Sequence, residues 1–256
     1  MARSHRTTRV LVTNDDGIDS PGIHALAGVA VGFGLDVVVA APAWDSSGAS
    51  ASLTAAQQGG RFLVEKRKLA GLDRVPAYAA QATPGFITLT ASRGAFGPRP
   101  DVVLSGINRG PNAGRAILHS GTVGAALTAS THGCRAMAVS IDVGEPMYWS
   151  TAVEVAGRVL PWLLEADAGV VLNLNVPNVA PERLRGLRRG RLASFGAVQT
   201  NVTEVGEGYV QLGYSDIDAQ YEPGTDAQLV ADGYASLTAL LAVCEASAVD
   251  VSVLAD

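Results

Sequence analysis

Residues 9–17 read RVLVTNDDG, a stretch in which an apolar run ends in two adjacent carboxylates. The run from Val10 to Thr13 is short and rich in β-branched residues, which predicts a buried strand. In the segment that follows, Ser20 is a candidate N-cap and Pro21 suits a first helical turn, so a helix is predicted after the acidic turn. The two acids therefore lie where a strand gives way to a helix.

The rest of the chain continues this alternation of strand and helix. Apolar runs predict further strands at LDVVVAA, DVVLSGIN, RAMAVSI and VVLNLNVP, and helical patterns occur near Pro84, over TVGAALTASTHG and over residues 149–165. Nearly uniform apolar strands between helices predict an α/β fold with a mainly parallel sheet covered on both faces. Beyond residue 180 the pattern weakens into short segments, and SLTALLAVCEASA predicts a late helix.

The composition of the 256-residue chain limits its class and its partners. It is 48% hydrophobic and 17% charged, which is enough for a sizeable core. After Arg191 the sequence has no Lys or Arg but ten Asp and Glu, which argues against binding of a nucleic-acid polymer there. No apolar run approaches the roughly 18 residues of a membrane span. Cys134 and Cys244 make no disulfide framework, so we expect a cytoplasmic protein without membrane contact.

Polar loops follow three of the predicted strands. They are NDDG (residues 14–17), APAWDSSGAS (residues 41–50) and SGINRGPNAG (residues 105–114). In an open parallel sheet ligands bind at the carboxyl ends of the strands, so these loops are expected to converge. Adjacent carboxylates such as Asp15 and Asp16 repel each other and are tolerated where a cation neutralises them. The loops offer carboxylate, hydroxyl and amide oxygens, which favour Mg²⁺, Mn²⁺ or Ca²⁺.

Two of these segments have a structural alternative. NDDG is also a turn sequence, and Asn14 or Asp15 is a candidate cap for the helix behind it. The segment HSGTVGAALTA presents Ser120, Gly121 and Thr122 at a helix N-terminus, where free N–H groups and hydroxyls bind anions. On its own this is an ordinary helix cap, but beside an acidic metal site it fits phosphoryl chemistry.

Other signatures of phosphate chemistry are absent from the sequence. It contains no G-x-x-x-x-G-K-[ST] loop, and no G-x-G-x-x-G opens a helix. A haloacid-dehalogenase-type phosphatase needs a nucleophilic Asp at the first position of D-x-D-G, which is Asn14 here. A route through a phospho-aspartate is therefore not expected.

Together these segments resemble the SurE family of survival-protein nucleotidases. LVTNDDGIDSPGI is close to the family's opening signature, VLSGINRGPNAGRAILHSGTVGAAL matches a second one, and LNLNVP and TDAQLVADGYASLTAL resemble later blocks. The resemblance implies a metal-dependent phosphomonoesterase that hydrolyses nucleoside 5′- and 3′-monophosphates. It also implies a Rossmann-like three-layer core, assigned to residues 1–180, and a small β-rich extension over 181–256 that helps to form a homodimer or homotetramer.

The resemblance also carries over a set of site residues by motif. It implies that one divalent metal ion is bound by two acids, a hydroxyl and an amide, namely Asp15, Asp16, Ser47 and Asn108. Ser46 and Ser50 lie in the same loop as Ser47, which is selected by its offset from the preceding AAP. The sequence departs from the family at Phe86, where an Asp is usual.

The expected mechanism is direct attack of water on a bound phosphate monoester. Of the two catalytic acids, Asp15 and Asp16, we expect Asp15 to accept the proton of the attacking water. His119 is a candidate proton donor to the leaving alkoxide, although a lone His in a loop is more often structural. Four groups are expected to bind the phosphate oxygens as charge builds up, namely Asn112, Ser120, Gly121 and Thr122.

Three other functions are compatible with the same features. Because Phe86 departs from the family's usual Asp, one alternative is a phosphatase specialised for another phosphorylated metabolite. A non-catalytic nucleotide-binding protein on this scaffold is opposed by the full set of candidate ligands. A nucleotide-sugar transferase would form product only with an acceptor other than water.

Overall fold

The computed structural model of the chain describes residues 7–194, 198–206, 209–216 and 221–246. The strands are β1 (Arg9–Thr13), β2 (Asp36–Pro42), β3 (Gln57–Gln58), β4 (Arg61–Phe62), β5 (Val64–Arg67), β6 (Ala77–Ala80), β7 (Val102–Arg109), β8 (Arg135–Ile141), β9 (Val171–Val176), β10 (Leu187–Arg189), β11 (Val198–Gly206), β12 (Tyr209–Asp216) and β13 (Ala235–Leu240). The α-helices are α1 (Pro21–Gly32), α2 (Pro84–Ala91), α3 (Gly121–Thr131), α4 (Trp149–Glu165) and α5 (Asp226–Ala231). The strands and helices predicted up to residue 177 all have a counterpart in this set.

Nine strands form one mixed sheet in the order β10-β13-β9-β8-β7-β1-β2-β6-β5. Neighbours from β6 through to β9 are parallel, whereas β5 is antiparallel to β6 and β13 is antiparallel to β9. The mainly parallel sheet is therefore confirmed. The chain winds outward from β1 in one direction through β2 and β6, and in the other through β7, β8 and β9. The strand order reverses between β1 and β7, which is where doubly wound sheets bind their ligands.

The two faces of the sheet are covered by different helices. One core cluster joins Ile23 and Leu26 of α1 to Val155 and Leu160 of α4. The second core cluster, on separate residues, includes Ile87 of α2 and Val123 of α3 together with the alternate side chains of the strands. This arrangement of helix layer, sheet and helix layer confirms the three-layer prediction.

Close packing between α1 and β7 brings two of the predicted site loops together. Ser20 caps α1 by accepting a hydrogen bond from Ile23 N (3.4 Å), which fixes the start of the helix after the acidic turn. At the second residue of this helix, a side chain in place of Gly22 would overlap the carbonyl oxygen of Ile107. Only glycine allows this approach, and Ile107 directly precedes the predicted ligand Asn108. The packing of α1 therefore holds the NDDG turn beside the end of β7.

The prediction of a late helix over residues 236–248 is wrong for its first part. Ala235–Leu240 form β13, which pairs with β9 in a register that runs from Ser236 opposite Asn175 to Leu240 opposite Val171. Ala and Leu favour helices, but hydrogen bonding to the edge of β9 and the burial of alternate side chains outweigh that propensity. Residues 241–246 form no regular structure, and 247–248 lie outside the described residues.

The segment after residue 180 is rich in strands, as predicted, but part of it extends the main sheet. Strands β10 and β13 add to the edge beyond β9. Strands β11 and β12 form a separate antiparallel hairpin. The division of the chain at residue 180, with a role of the second part in oligomerisation, stays a prediction. No helix among the described residues has the length and apolar character needed to cross a membrane.

Candidate active site

The acidic turn after β1 carries two carboxylates with different surroundings. Asp15 is only 3% exposed, whereas Asp16 is half-buried. The buried side chain of Asn14 donates through Nδ2 to the carbonyl oxygen of Gly17 (3.0 Å) and to Ser20 Oγ (2.7 Å). Gly17 has a φ of 96°, a conformation that favours glycine. Asn14 and Gly17 therefore shape the turn, and the two acids are left for the site.

The first turn of α3 holds the side chain of Asp15. Thr122 donates from its backbone N–H to Asp15 Oδ2 (2.9 Å) and from its hydroxyl to Asp15 Oδ1. A methyl group at Gly121 would lie 2.8 Å from Asp15 Oδ2, so glycine is required for this approach. The positive end of the helix dipole adds to the two hydrogen bonds. Asp15 is thus fixed by a helix start more than a hundred residues away in the chain.

Both acids are more easily protonated than an ordinary carboxyl group. Burial raises the pKa of Asp15, even though its hydrogen bonds to Thr122 oppose the shift. Burial, and then the charge of Asp15, raise the pKa of Asp16 to about 6. The carboxylate of Asp45 raises the pKa of both groups further. A bound cation would reverse these shifts, so the electrostatics of the site favour one.

The end of β7 lies beside Asp16. The backbone N–H of Arg109 approaches Asp16 Oδ2 at 3.4 Å. The neighbouring side chain of Asn108 donates through Nδ2 to the carbonyl oxygen of Gly110 (2.7 Å). This bond fixes the amide with its nitrogen engaged and its oxygen available as a ligand. The structure therefore brings the predicted ligands Asp16 and Asn108 to the same strand end.

The loop after β2 reaches the acidic turn through its backbone. Ser46 N donates to the carbonyl oxygen of Asp15 at 2.7 Å. Ser47, the predicted ligand, donates from both its N–H (2.8 Å) and its hydroxyl (2.6 Å) to Asp45 Oδ1. Asp45 acts on both acids electrostatically but was not in the predicted ligand set. Ser47 is thus held next to the site, with its hydroxyl hydrogen directed at Asp45 and its oxygen lone pairs available to a cation.

The predicted phosphate-binding residues lie in two places: Ser120, Gly121 and Thr122 at the start of α3, and Asn112 beside the end of β8. Ser120 caps α3, because its Oγ accepts from Val123 N (3.1 Å). Asn112 donates through Nδ2 to Ser140 Oγ (2.9 Å) at the end of β8. With both donors of Thr122 directed at Asp15, the Gly121 N–H is the unpaired donor among the described residues of this helix start. A direct phosphate contact by any of these residues stays a prediction.

Two further elements of the site were missed by sequence reasoning. Asn173 and Asn175 of β9 both donate through Nδ2 to the carbonyl oxygen of Asn112 (2.8 and 2.9 Å). Asp226 at the start of α5 accepts from Gly114 N (2.9 Å). The alternation LNLN in an otherwise apolar strand was the available signal for the two asparagines, because period-two polar residues share one face. Asp226 lies in the block TDAQLVADGYASLTAL, which supported the resemblance but was not assigned to the site. His119 is exposed, and only its carbonyl oxygen is tied to a site loop, through Ser50 N (3.2 Å).

The donor set fits a hard divalent cation. Among the described residues, no group of three or more His, Cys, Asp or Glu could hold a metal ion. A cation here has to be bound by the acid pair together with neutral oxygens, which suits Mg²⁺, Mn²⁺ or Ca²⁺. At the same strand ends, the side-chain oxygens of Thr13, Asn14 and Ser105 are buried without a hydrogen-bond partner in the described structure. Such oxygens are expected where water or an ion completes the site.

Comparisons with known proteins match this chain in sequence and in fold. Residues 10–198 match the family model for the survival protein SurE. The chain is 34% identical over 240 residues to the 5′-nucleotidase SurE of Paramagnetospirillum magneticum, covering 91% of this chain and 89% of that protein. It is equally similar over 237 residues, with the same coverage, to the 5′/3′-nucleotidase SurE of Escherichia coli. The solved structure of the SurE protein from Aquifex aeolicus superposes with a TM-score of 0.80 at 28% identity, covering 97% of this chain and all of that one.

Proposed function

The chain belongs to the SurE family, and from this we propose that it is a metal-dependent phosphoric monoester hydrolase that converts nucleoside 5′- and 3′-monophosphates to nucleoside and phosphate. The observation that carries the proposal is the acid pair at the strand reversal, where Asp15 is held by α3 and Asp16 meets the end of β7. The nucleotidase names of the relatives support the same substrate class.

One divalent ion, Mg²⁺, Mn²⁺ or Ca²⁺, is the proposed cofactor. The residues that would hold it are Asp15, Asp16, Ser47 and Asn108. When bound there, it would supply charge for a phosphoryl oxygen and a lowered pKa for water. The raised pKa values of Asp15 and Asp16 support this assignment, since a bound cation would stabilise the charged carboxylates that burial and their mutual repulsion disfavour.

Individual residues of the chain have separate proposed roles in the reaction. Asp15 is the proposed proton acceptor, because Thr122 holds its carboxylate in one orientation. Asn14 occupies the position of a phospho-aspartate nucleophile, and its amide is engaged by the turn, which supports direct attack by water. The Gly121 N–H and the capped start of α3 are the proposed site for the phosphate oxygens, together with Asn112.

The proposal is tested with a panel of phosphorylated metabolites and several metal ions. We expect phosphate release from nucleoside 5′- and 3′-monophosphates with Mn²⁺ or Mg²⁺, and loss of that activity with a chelator. Nucleotide binding without turnover would support the non-catalytic alternative. Preference for a monophosphate that lacks a nucleobase would support the specialised phosphatase. Product that forms only with an acceptor other than water would indicate a transferase.

We also propose that the protein acts as a homodimer or homotetramer in a reducing, cytoplasmic environment. A hairpin such as β11–β12, paired with no further strand in the described structure, is marginally stable alone and is expected to gain a partner surface. Trp162 is 60% exposed beside a cavity of about 470 Å³ that is lined by apolar side chains and three arginines. Cys134 and Cys244 are both free thiols. Light scattering of the purified protein tests the oligomeric state.

A further inference from the structure

The carboxylate of Asp226 joins the C-terminal part of the chain to the active-site loop. Asp226 is fully buried at the start of α5. Its Oδ2 accepts from Gly114 N (2.9 Å), and its Oδ1 accepts from Ala193 N and Ala227 N (both 2.9 Å). One side chain thus collects three backbone donors from three separate segments. Hydrogen bonds to a buried charged acceptor are among the stronger ones in proteins.

Gly114 belongs to the loop that connects two parts of the candidate site. The loop begins after β7, whose last two residues are Asn108 and Arg109, and ends at the start of α3, where Thr122 holds Asp15. Its first half is anchored at Asn112, whose N–H donates to Asn175 Oδ1 (2.8 Å). Displacement of this loop would therefore move groups on both sides of the proposed cation.

Asp226 is the second anchor of this loop. Arg115 N donates to the carbonyl oxygen of Ala193 (3.1 Å), and the side chains of Ala113, Ala193 and Ala227 form a small buried cluster. Both contacts depend on the segment around Ala193, which Asp226 also holds. Without the carboxylate, this segment and the loop would lose their common acceptor.

Capping of α5 does not explain the hydrogen bonds that both carboxylate oxygens of Asp226 accept. Thr225 already caps this helix, because its Oγ1 accepts from Gln228 N (3.4 Å). Ala227 N shares Oδ1 with Ala193 N, so Oδ2 is used for Gly114 alone. A buried charge without such a use would be costly.

We propose that Asp226 is a positioning residue of the active site, which sets the loop between Asn108 and Thr122 through its hydrogen bond to Gly114. This inference rests on the proposed phosphatase function. The Asp226 carboxylate accepts from backbone N–H groups and makes no hydrogen bond to a proposed metal ligand in the described structure. It acts through the loop backbone. A residue remote from the reacting atoms can still matter in this way, because a displacement of reacting groups by about 1 Å can lower the rate about a hundredfold.

The test compares Asp226→Asn with Asp232→Asn. Both variants remove one negative charge from α5 or its end, but Asp232 is exposed at the C-cap. With p-nitrophenyl phosphate and Mn²⁺, we expect Asp226→Asn to lower kcat by about 10- to 100-fold, and to raise both KM and the half-saturating Mn²⁺ concentration. Asp232→Asn is expected to match the wild type. A variant that only folds less well would show a lower maximal rate, because less of the protein is active, while KM and the half-saturating Mn²⁺ concentration stayed at the wild-type values. That result would overturn the proposal.

Amide hydrogen exchange of the metal-free wild type gives a second test that needs no variant. If one carboxylate holds the three donors, the amides of Gly114, Ala193 and Ala227 should be protected to a similar degree, within about tenfold. Rapid exchange of Gly114 alone would overturn the proposal. A wild type that hydrolyses no monophosphate would refute the proposed function instead, whereas an active wild type and an equally active Asp226→Asn would refute only the positioning role.

Discussion

Thr122 donates two hydrogen bonds to Asp15, one from its backbone N–H and one from its hydroxyl. The first turn of α3 is therefore committed to a carboxylate of the protein, although the sequence predicted it as a phosphate cradle. The two roles are compatible, because Gly121 N–H lies in the same turn and is unpaired in the described structure. Such a helix start would fix a metal ligand and present a donor to the substrate.

Thr122→Val should therefore weaken the site through Asp15. The substitution keeps the volume but removes the hydroxyl donor from a buried carboxylate, which costs about 1–3 kcal/mol of unfolding free energy. We expect kcat/KM to fall about 10- to 100-fold, as for other groups that orient a metal ligand. Thr122→Ser should restore most of the activity because it keeps the hydroxyl. Thr131→Val, at the exposed end of the same helix, is the control. Wild-type kinetics of Thr122→Val would argue against the role of Asp15.

Asp16→Asn should abolish metal-dependent phosphatase activity while the fold survives. Asp16 makes one weak hydrogen bond, to Arg109 N, so little structure depends on its charge. Loss of a metal ligand should lower kcat/KM by more than about 100-fold, the upper end of what loss of an outer partner costs. Asp19→Asn makes the same change at an exposed position of the same turn region and should leave the activity intact. Full activity of Asp16→Asn would refute the site assignment.

The fold was predictable where apolar runs were uniform and separated by helix signals. Three such runs form the neighbouring strands β1, β7 and β8, namely RVLVT, DVVLSGIN and RAMAVSI. Nearly continuous apolar runs of this kind are typical of parallel strands that are buried on both faces of a sheet. SLTALLAVCEASA was misread because its helical composition says nothing about the open edge of β9, to which its first residues pair. Short apolar runs are ambiguous until their neighbours are known.

The site was predictable only in its local parts. The acid pair and the Ser47 loop follow β1 and β2 within a few residues, and Asn108 is the next-to-last residue of β7. The rule that ligands bind at the carboxyl ends of parallel strands was therefore enough to predict them as one site. The partnership of Asp15 with Thr122 spans more than a hundred residues, and that of Asp226 with Gly114 does as well. Such contacts are set by the packing of α3 and α5 against the sheet. Residue type alone indicated that these side chains were polar, but not which backbone donors they would meet.

Gly121→Ala and Gly28→Ala should have opposite consequences. At Gly121 the added methyl group would lie 2.8 Å from Asp15, so the acid or the helix has to shift. We expect kcat/KM to fall at least about tenfold, since small displacements of a reacting group are costly. Gly28 lies in α1 with no atom within 4 Å of an added methyl group, and alanine there should stabilise the fold by about 0.5–1 kcal/mol at unchanged activity. Steady-state kinetics and urea unfolding of both variants measure the contrast. Unimpaired Gly121→Ala would show that Asp15 does not need its present position.

The metal-free protein should lose stability as the pH rises through the range in which Asp16 titrates. The pKa of Asp16 is about 6 in the folded state because of burial and the charge of Asp15, against an ordinary value of 3.8. Between these values the folded state retains a proton that the unfolded state releases, so the free energy of unfolding falls as the pH increases from about 4 to about 6. The raised pKa of Asp15 acts in the same direction. Urea midpoints measured with a chelator at several pH values test this.

Comparison with Asp16→Asn isolates the contribution of this one group. The variant has no proton to lose at position 16, so its metal-free form should be more stable than the wild type at pH 7 and about equal to it near pH 4. Mn²⁺ should reverse the order at pH 7, because only the wild type gains stability from a cation bound between its acids. Asp19→Asn should follow the wild type throughout. If the difference in unfolding free energy between wild type and Asp16→Asn stayed constant from pH 4 to pH 7, the pKa of Asp16 would not be raised in the folded, metal-free protein.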